Sequence, residues 1–207
     1  MECEPASRPM IRSRRAAREA ALRALYQSDV AAVAPGEAVE HVLCEISLHP
    51  DSQVLVRQLT IGVETELGPL DDLIRPYLAS GWTLERLAVI DRCLLRMAAY
   101  ELWHLPAIPP KVTAHELVIL AKKYGDESSY KFVNGVIGQL IAHSPKSNWD
   151  PSETDESEPE AASEADSASL PDVLPAVEEE EVEEGSEALS SLAKIGVWTL
   201  RREGDQP

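Results

Sequence analysis

Residues Pro109–Ile141, PPKVTAHELVILAKKYGDESSYKFVNGVIGQLI, decide how the rest of the chain is read. The stretch predicts helix, break, helix. Val112, Leu117, Leu120, Ala121 and Tyr124 recur at spacings of three to five, which fits a 3.6-residue period and not strand alternation. Gly125 predicts a left-handed stop, and Asp126 or Ser128 a cap for the next helix. Phe132, Val133, Val136, Ile137, Leu140 and Ile141 carry the second helix. Within it, Asn134-Gly135 is a turn-forming pair by local propensity. Gly135 and Gly138 each weaken a helix by about 1 kcal/mol relative to Ala. Their retention predicts that another backbone comes close there.

Upstream, residues 13–32 are rich in Ala, Leu and Arg and predict a helix with Ala17, Ala20, Ala21, Ala24 and Leu25 on one face. Arg12, Arg15, Glu19, Arg23 and Tyr26 fall on the opposite arc, with Arg14 and Arg18 flanking the apolar stripe. Pro35-Gly36 predicts an end to this helix, and residues 37–48 a shorter one. Asp51 is the expected N-cap of a third, ended by Gly68-Pro69. A fourth runs through Leu70, Leu73, Ile74, Tyr77 and Leu78, with Pro76 able to bend it. Thr83 is the expected cap of the longest helix, residues 84–104, whose broad apolar face places it at the centre of a bundle. The next helix starts either at Pro110 or at a Thr113-x-x-Glu116 capping box. No stretch sustains strand alternation, so the fold class is all-α, with about seven helices.

The chain is long enough for one domain plus a tail. Residues 1–145 carry fifteen Lys and Arg against eighteen Asp and Glu; residues 146–207 carry four against eighteen. The low pI therefore belongs to the tail and does not exclude nucleic acid as a partner of the body. Residues 1–11, with Pro5 and Pro9, predict a flexible arm. Residues 145–207 predict a disordered acidic tail, since Glu, Ser, Asp, Ala and Pro bury too little apolar surface to offset ordering entropy. An apolar island at 189–200, containing Trp198, interrupts it near its end. Against a plain solubilising role stands competition of this tail with RNA for the arginines. Cys3, Cys44 and Cys93 have neither disulfide nor metal spacing and suit reduced thiols. With no leader-like or membrane-spanning run, the chain reads as cytoplasmic.

Arg8, Arg12, Arg14, Arg15, Arg18 and Arg23 face a single acid, Glu19, between residues 8 and 27. The i,i+4 acids that usually accompany surface arginines are missing, which leaves phosphate binding and solvated charge as even alternatives. Phe132, next to Lys131, is either core or a stacking platform for a base. Tyr77 fits core packing, and Asp91 reads as a surface acid in an early helical turn. Lys111, Lys122 and Lys123 extend the positive charge or are merely solvated. Chemistry finds little footing. His115-Glu116 opens a zincin-like pattern, but Ile119 stands where the second His belongs. No phosphate loop and no metal-ligand spacing occur, so neither enzyme activity nor a cofactor is expected.

The segment Glu116, Leu120-Ala121-Lys122, Tyr124-Gly125 and Lys131-Phe132-Val133-Asn134-Gly135-Val136 resembles the C-terminal half of the NusB family of bacterial transcription antitermination factors. Arg18–Gln27 and Asp91–Leu102 agree with the same pattern, and His115 stands where the family has Asn. The resemblance covers about residues 12–143 and sets a body at 12–144. It implies a bundle of two helical halves that binds boxA-like single-stranded RNA with the ribosomal protein NusE, in the transcription elongation complex, supporting ribosomal RNA synthesis. Arg12, Arg14, Arg15, Arg18, Tyr77, Ser128, Lys131 and Phe132 then fall on the RNA side, and Tyr26, Asp91 and Tyr124 on the partner side. Some relatives are dimers that cover the arginine end, so a homodimer belongs among the expectations. The alternatives are a helical scaffold that ignores RNA, or a detached accessory domain of an RNA methyltransferase, for which no βαβ segment is present.

Overall fold

Seven α-helices follow one another through residues 10–149, the part of the chain that this computed structural model describes. They are α1 (Arg14–Ala31), α2 (Pro35–Glu45), α3 (Pro50–Thr65), α4 (Leu67–Ile74), α5 (Val89–His104), α6 (Pro110–Tyr124) and α7 (Ser129–His143). Arg8, Cys3 and the apolar island at 189–200 lie outside the described residues, as does the acidic run before that island.

Ser13 caps α1 by accepting from the Ala16 N–H, and the all-alanine stripe Ala17, Ala20, Ala21 and Ala24 is buried completely. Side chains this small let α1 lie close to α2, α3 and α5 at once. The centre of the bundle is α5, which packs on α1, α3, α4, α6 and α7 and buries ten of its sixteen residues. One continuous core joins all seven helices.

Several boundaries differ from the expectation, each for a local reason. Pro35 opens α2 at its first turn instead of ending α1, which stops at Ala32 in the left-handed region. His49, not Asp51, caps α3, accepting from the Asp51 N–H. Gly68 and Pro69 sit inside the first turn of α4, where a proline lacks nothing. Pro76 does not bend α4; the helix ends at Ile74 and tightens into a 3-10 turn, Arg75–Tyr77. The expected helix 84–104 is split into a 3-10 turn, Leu84–Arg86, and α5. Arg92 on α5 donates to the Leu84 carbonyl at 3.1 Å and so braces this break. That leaves α1, at eighteen residues, as the longest helix among the described residues.

The flexible arm predicted for residues 1–11 includes Ile11, which the structure describes. Ile11 pairs with the α2–α3 connection, its N–H donating to Ser47 and its carbonyl accepting from His49. The tail predicted from residue 145 likewise includes residues 145–149, which the structure describes. Lys146 is buried, and its ammonium donates to the carbonyls of Glu101 (2.8 Å), Leu105 and Ile108 (2.7 Å) at the end of α5. A lysine among the last carbonyls of a helix also suits the negative end of its dipole.

Gly135 and Gly138 meet nothing: a Cβ on either would stand in open space. The expected close approach of another backbone is absent, because both glycines face outward on α7 while Val133, Val136, Ile137 and Leu140 face the core.

Candidate nucleic-acid interface

The arginines of α1 and of the residues leading into it are not short of acids; the acids arrive from other helices. Arg12 pairs with Asp51 of α3 and Arg23 with Glu45 of α2. Arg15 makes a two-pronged contact with Glu116 of α6, Nε to Oε2 at 2.8 Å and Nη2 to Oε1 at 2.9 Å. The sequence shows no local partner because each pair spans between 22 and 101 residues. Arg14 is exposed at the same end of the helix.

Arg18 departs from its expected role. Its side chain is 1% exposed and donates to Glu101, 0% exposed, at 2.7 and 3.1 Å. Thr113 adds a third hydrogen bond to Glu101 at 2.7 Å, so its hydroxyl caps nothing and α6 starts at Pro110. Arg18 cannot touch a phosphate in solvent; it stitches α1 to the heart of α5.

Farther along α1, Lys123 donates to Glu19 at 2.8 Å and Tyr124 donates to the same carboxylate. With Arg15–Glu116, these contacts lay α6 along α1 and form a seam of charge that runs toward the α6–α7 turn. The Tyr124 ring is buried beneath the Lys123 ammonium, 5.0 Å from its centroid. Lys122 sits 5.0 Å from the Tyr130 ring.

The turn itself is organised by Asp126. One carboxylate oxygen accepts from the backbone N–H groups of Ser128 (2.8 Å) and Ser129 (2.7 Å), so Asp126, not Ser128, supplies the capping oxygen of α7. These bonds hold its pKa below the usual carboxylate range despite the opposing effect of burial. Gly125 is extended (φ −82°, ψ −177°), not left-handed. Glycine is needed for room: a Cβ would stand 2.4 Å from that of Ser129. The turn leaves Ser128 and Lys131 exposed and Phe132 half-buried, packed on the core by one side and open on the other. Both readings of Phe132 thus describe part of the same ring.

Tyr77 stands apart from this turn. It is half-buried against His143 at the far end of α7, ring centroids 5.3 Å apart, about 16 Å along the helix from Phe132.

The residues expected on a partner face are all buried. Tyr26 is covered by α5, next to Cys93, and burial raises its pKa. Asp91 is not a surface acid: it is 7% exposed. One of its oxygens accepts from the Ser129 hydroxyl at 3.1 Å, and the other is buried without a hydrogen bond. Desolvation pushes its pKa up to about 6, against the Ser129 hydrogen bond and with help from the nearby Asp126 charge. Asp29 is the outward charge at this end, held by Arg92 at 2.6 Å and Arg96 at 3.3 Å. Among the described residues no group of three or more His, Cys, Asp or Glu could hold a metal ion. Sequence reading gave Asp51 and Glu116 only capping or family-match places and missed Glu101, Ser129 and Lys146, whose contacts join residues far apart in the chain.

A model of the NusB family matches residues 15–142. The transcription antitermination protein NusB of Bacillus subtilis is 43% identical over 127 residues, 61% of this chain and 93% of that protein. Its counterpart in Geobacillus kaustophilus is 43% identical over 129 residues, 62% and 95% of the two chains. Among solved structures, T. maritima NusB superposes with a TM-score of 0.62 at 36% identity, covering 66% of this chain and 97% of its own. A crystal structure of antitermination factors NusB and NusE in complex with dsRNA gives 0.57 at 30% identity, with 61% and 94% covered.

Proposed function

Because the chain belongs to the NusB family of transcription antitermination proteins, which are not enzymes, we propose that it binds boxA-like RNA together with NusE. In this reading it acts in the cytoplasm, within the elongation complex, and supports ribosomal RNA transcription. The observation that carries the reading is the α1–α6 seam. Along it Arg15 pairs with Glu116, and Glu19 with Lys123 and Tyr124, next to the turn that leaves Ser128 and Lys131 exposed and Phe132 half-buried.

The division of labour follows from chemistry. Guanidinium and ammonium groups bind backbone phosphates and release counterions. An aromatic ring held from beneath stacks on an unpaired base. Arg18 is withdrawn from the RNA set and keeps α1 in register. Tyr77, at the other end of α7, touches only an RNA that runs the length of that helix. Tyr26, Asp91 and Tyr124 shape the NusE face from below and leave direct contact to outer groups such as Asp29 and Val30.

Fluorescence anisotropy with a labelled boxA-like RNA, with and without purified NusE, tests the proposal. Tighter binding with NusE present is expected. Stable binding of NusE with no effect of RNA on it would favour the RNA-independent scaffold instead.

A further inference from the structure

The charge seam has an internal contradiction: the arginines suited to phosphate already hold carboxylates. We propose that Glu116 and Asp51 are built-in competitors, carboxylates that occupy Arg15 and Arg12 until backbone phosphates displace them. The inference rests on the RNA-binding reading above and adds the residues that set its threshold.

The geometry of Arg15 is the main support. Glu116 takes the Nε and Nη2 donors in parallel, at 2.8 and 2.9 Å, which is the fork a phosphate group uses. The two partners are unequally placed. Arg15 is 46% exposed, whereas Glu116 is 13% exposed on α6. A phosphate can therefore draw the guanidinium outward, but the carboxylate cannot follow it.

Glu116 is not stranded when this happens. Burial raises its pKa, and the hydrogen bond and charge of Arg15 reverse that, with further lowering from Arg18 and His115. Arg18 stays behind when Arg15 leaves, so one guanidinium remains near the released carboxylate. His115, the residue that departs from the family pattern, thus has a place beside the exchange. Asp51 on α3 offers a simpler version, a single Nη2–carboxylate pair with Arg12 that is open to water on both sides.

The consequence concerns discrimination between weak and strong ligands. Any RNA backbone must break these pairs before it gains the arginines. Sequence-independent binding is thereby held down, and an RNA that also stacks on Phe132 can still bind. The two acids touch no base, so they lower affinity for every sequence by the same factor.

The test uses the full chain and its Glu116→Gln, Asp51→Asn and double variants, with melting curves confirming that each folds. Anisotropy titrations between 50 and 200 mM salt employ two probes, a boxA-like RNA and a uridine 12-mer. Each single variant should bind both RNAs roughly two- to fivefold tighter, the range of one exposed ion pair. The salt slope should steepen by up to about 0.7 per recovered contact. The ratio between the two RNAs should stay the same. In an Arg15→Ala background the gain from Glu116→Gln should shrink, because no guanidinium is left to release.

Weaker or unchanged binding by Glu116→Gln would overturn the proposal and make Glu116 an orienting group for Arg15. An equal gain with Arg15 removed would also overturn it, leaving only general charge repulsion. If wild type binds NusE but neither RNA while the double variant binds RNA, competition is supported in its strongest form. If no form binds RNA, the RNA reading fails and the inference with it.

Discussion

Arg18 and Glu101 meet in the middle of the bundle through two hydrogen bonds, 2.7 and 3.1 Å, with neither side chain reaching water. The pair joins residues 83 apart in sequence and is completed by Thr113 on a third helix. Arg18→Ala would leave a buried carboxylate with one neutral donor. A loss of about 3–5 kcal/mol is expected in urea unfolding, as for other broken buried pairs. A loss below 1 kcal/mol would mean that the site hydrates readily.

Asp91 makes folding depend on pH in a defined direction. Its carboxyl titrates at about 6 when folded and at the ordinary 3.8 when unfolded, so the folded state holds the extra proton between those values. Its contribution is most favourable below about pH 4 and is lost as pH rises through about 6. The difference corresponds to about 3 kcal/mol. Asp91→Asn should therefore gain stability relative to wild type between pH 4 and 6.5, whatever its offset at either end. Parallel stability–pH curves for the two proteins would contradict this.

Lys146 predicts where the body ends. Lys146→Met removes the donor to three carbonyls at the end of α5 and should destabilise by roughly 1–3 kcal/mol. Truncation after residue 149 should leave the melting temperature unchanged. Truncation after residue 144 should lower it.

Gly138 faces open space on α7 and has no positive φ to preserve. Gly138→Ala should stabilise by about 0.5–1 kcal/mol through helix propensity and reduced unfolded-state entropy. Thermal melts would reveal the sign directly, and a destabilised variant would mean that α7 is strained there.

The Phe132 ring separates stacking from electrostatics. Phe132→Leu keeps an apolar side chain against the core but removes the π-face, so RNA affinity should fall by about 1–3 kcal/mol per stacked base with an unchanged salt slope. Arg14→Ala with Arg15→Ala should instead flatten the slope. If both variants alter the slope equally, the two roles are not separable.

What local pattern governs was legible beforehand. The 3.6-residue stripes of α1, α5, α6 and α7 placed the core except at Val112, which opens the expected α6 stripe and is 40% exposed. Turn chemistry was read less well. Gly125 signals a break in sequence but not its cause, which is the volume of the Ser129 side chain. Gly135 and Gly138 look like contact points and are not. Charge was the least legible quantity. Arg18 and Arg15 are three residues apart and chemically identical. Only the tertiary packing of Glu101 and Glu116 makes one a buried strut and the other a surface group. Asp91 shows the same limit from the acidic side.

The ammonium seal on α5 also fixes where the rest of the polypeptide departs. Residues 144–149 lie at the His143 end of α7, about 21 Å by helical rise from Ser129 at the other end. Trp149, the last residue described, is thereby held at the end of the bundle opposite the turn that carries Lys131.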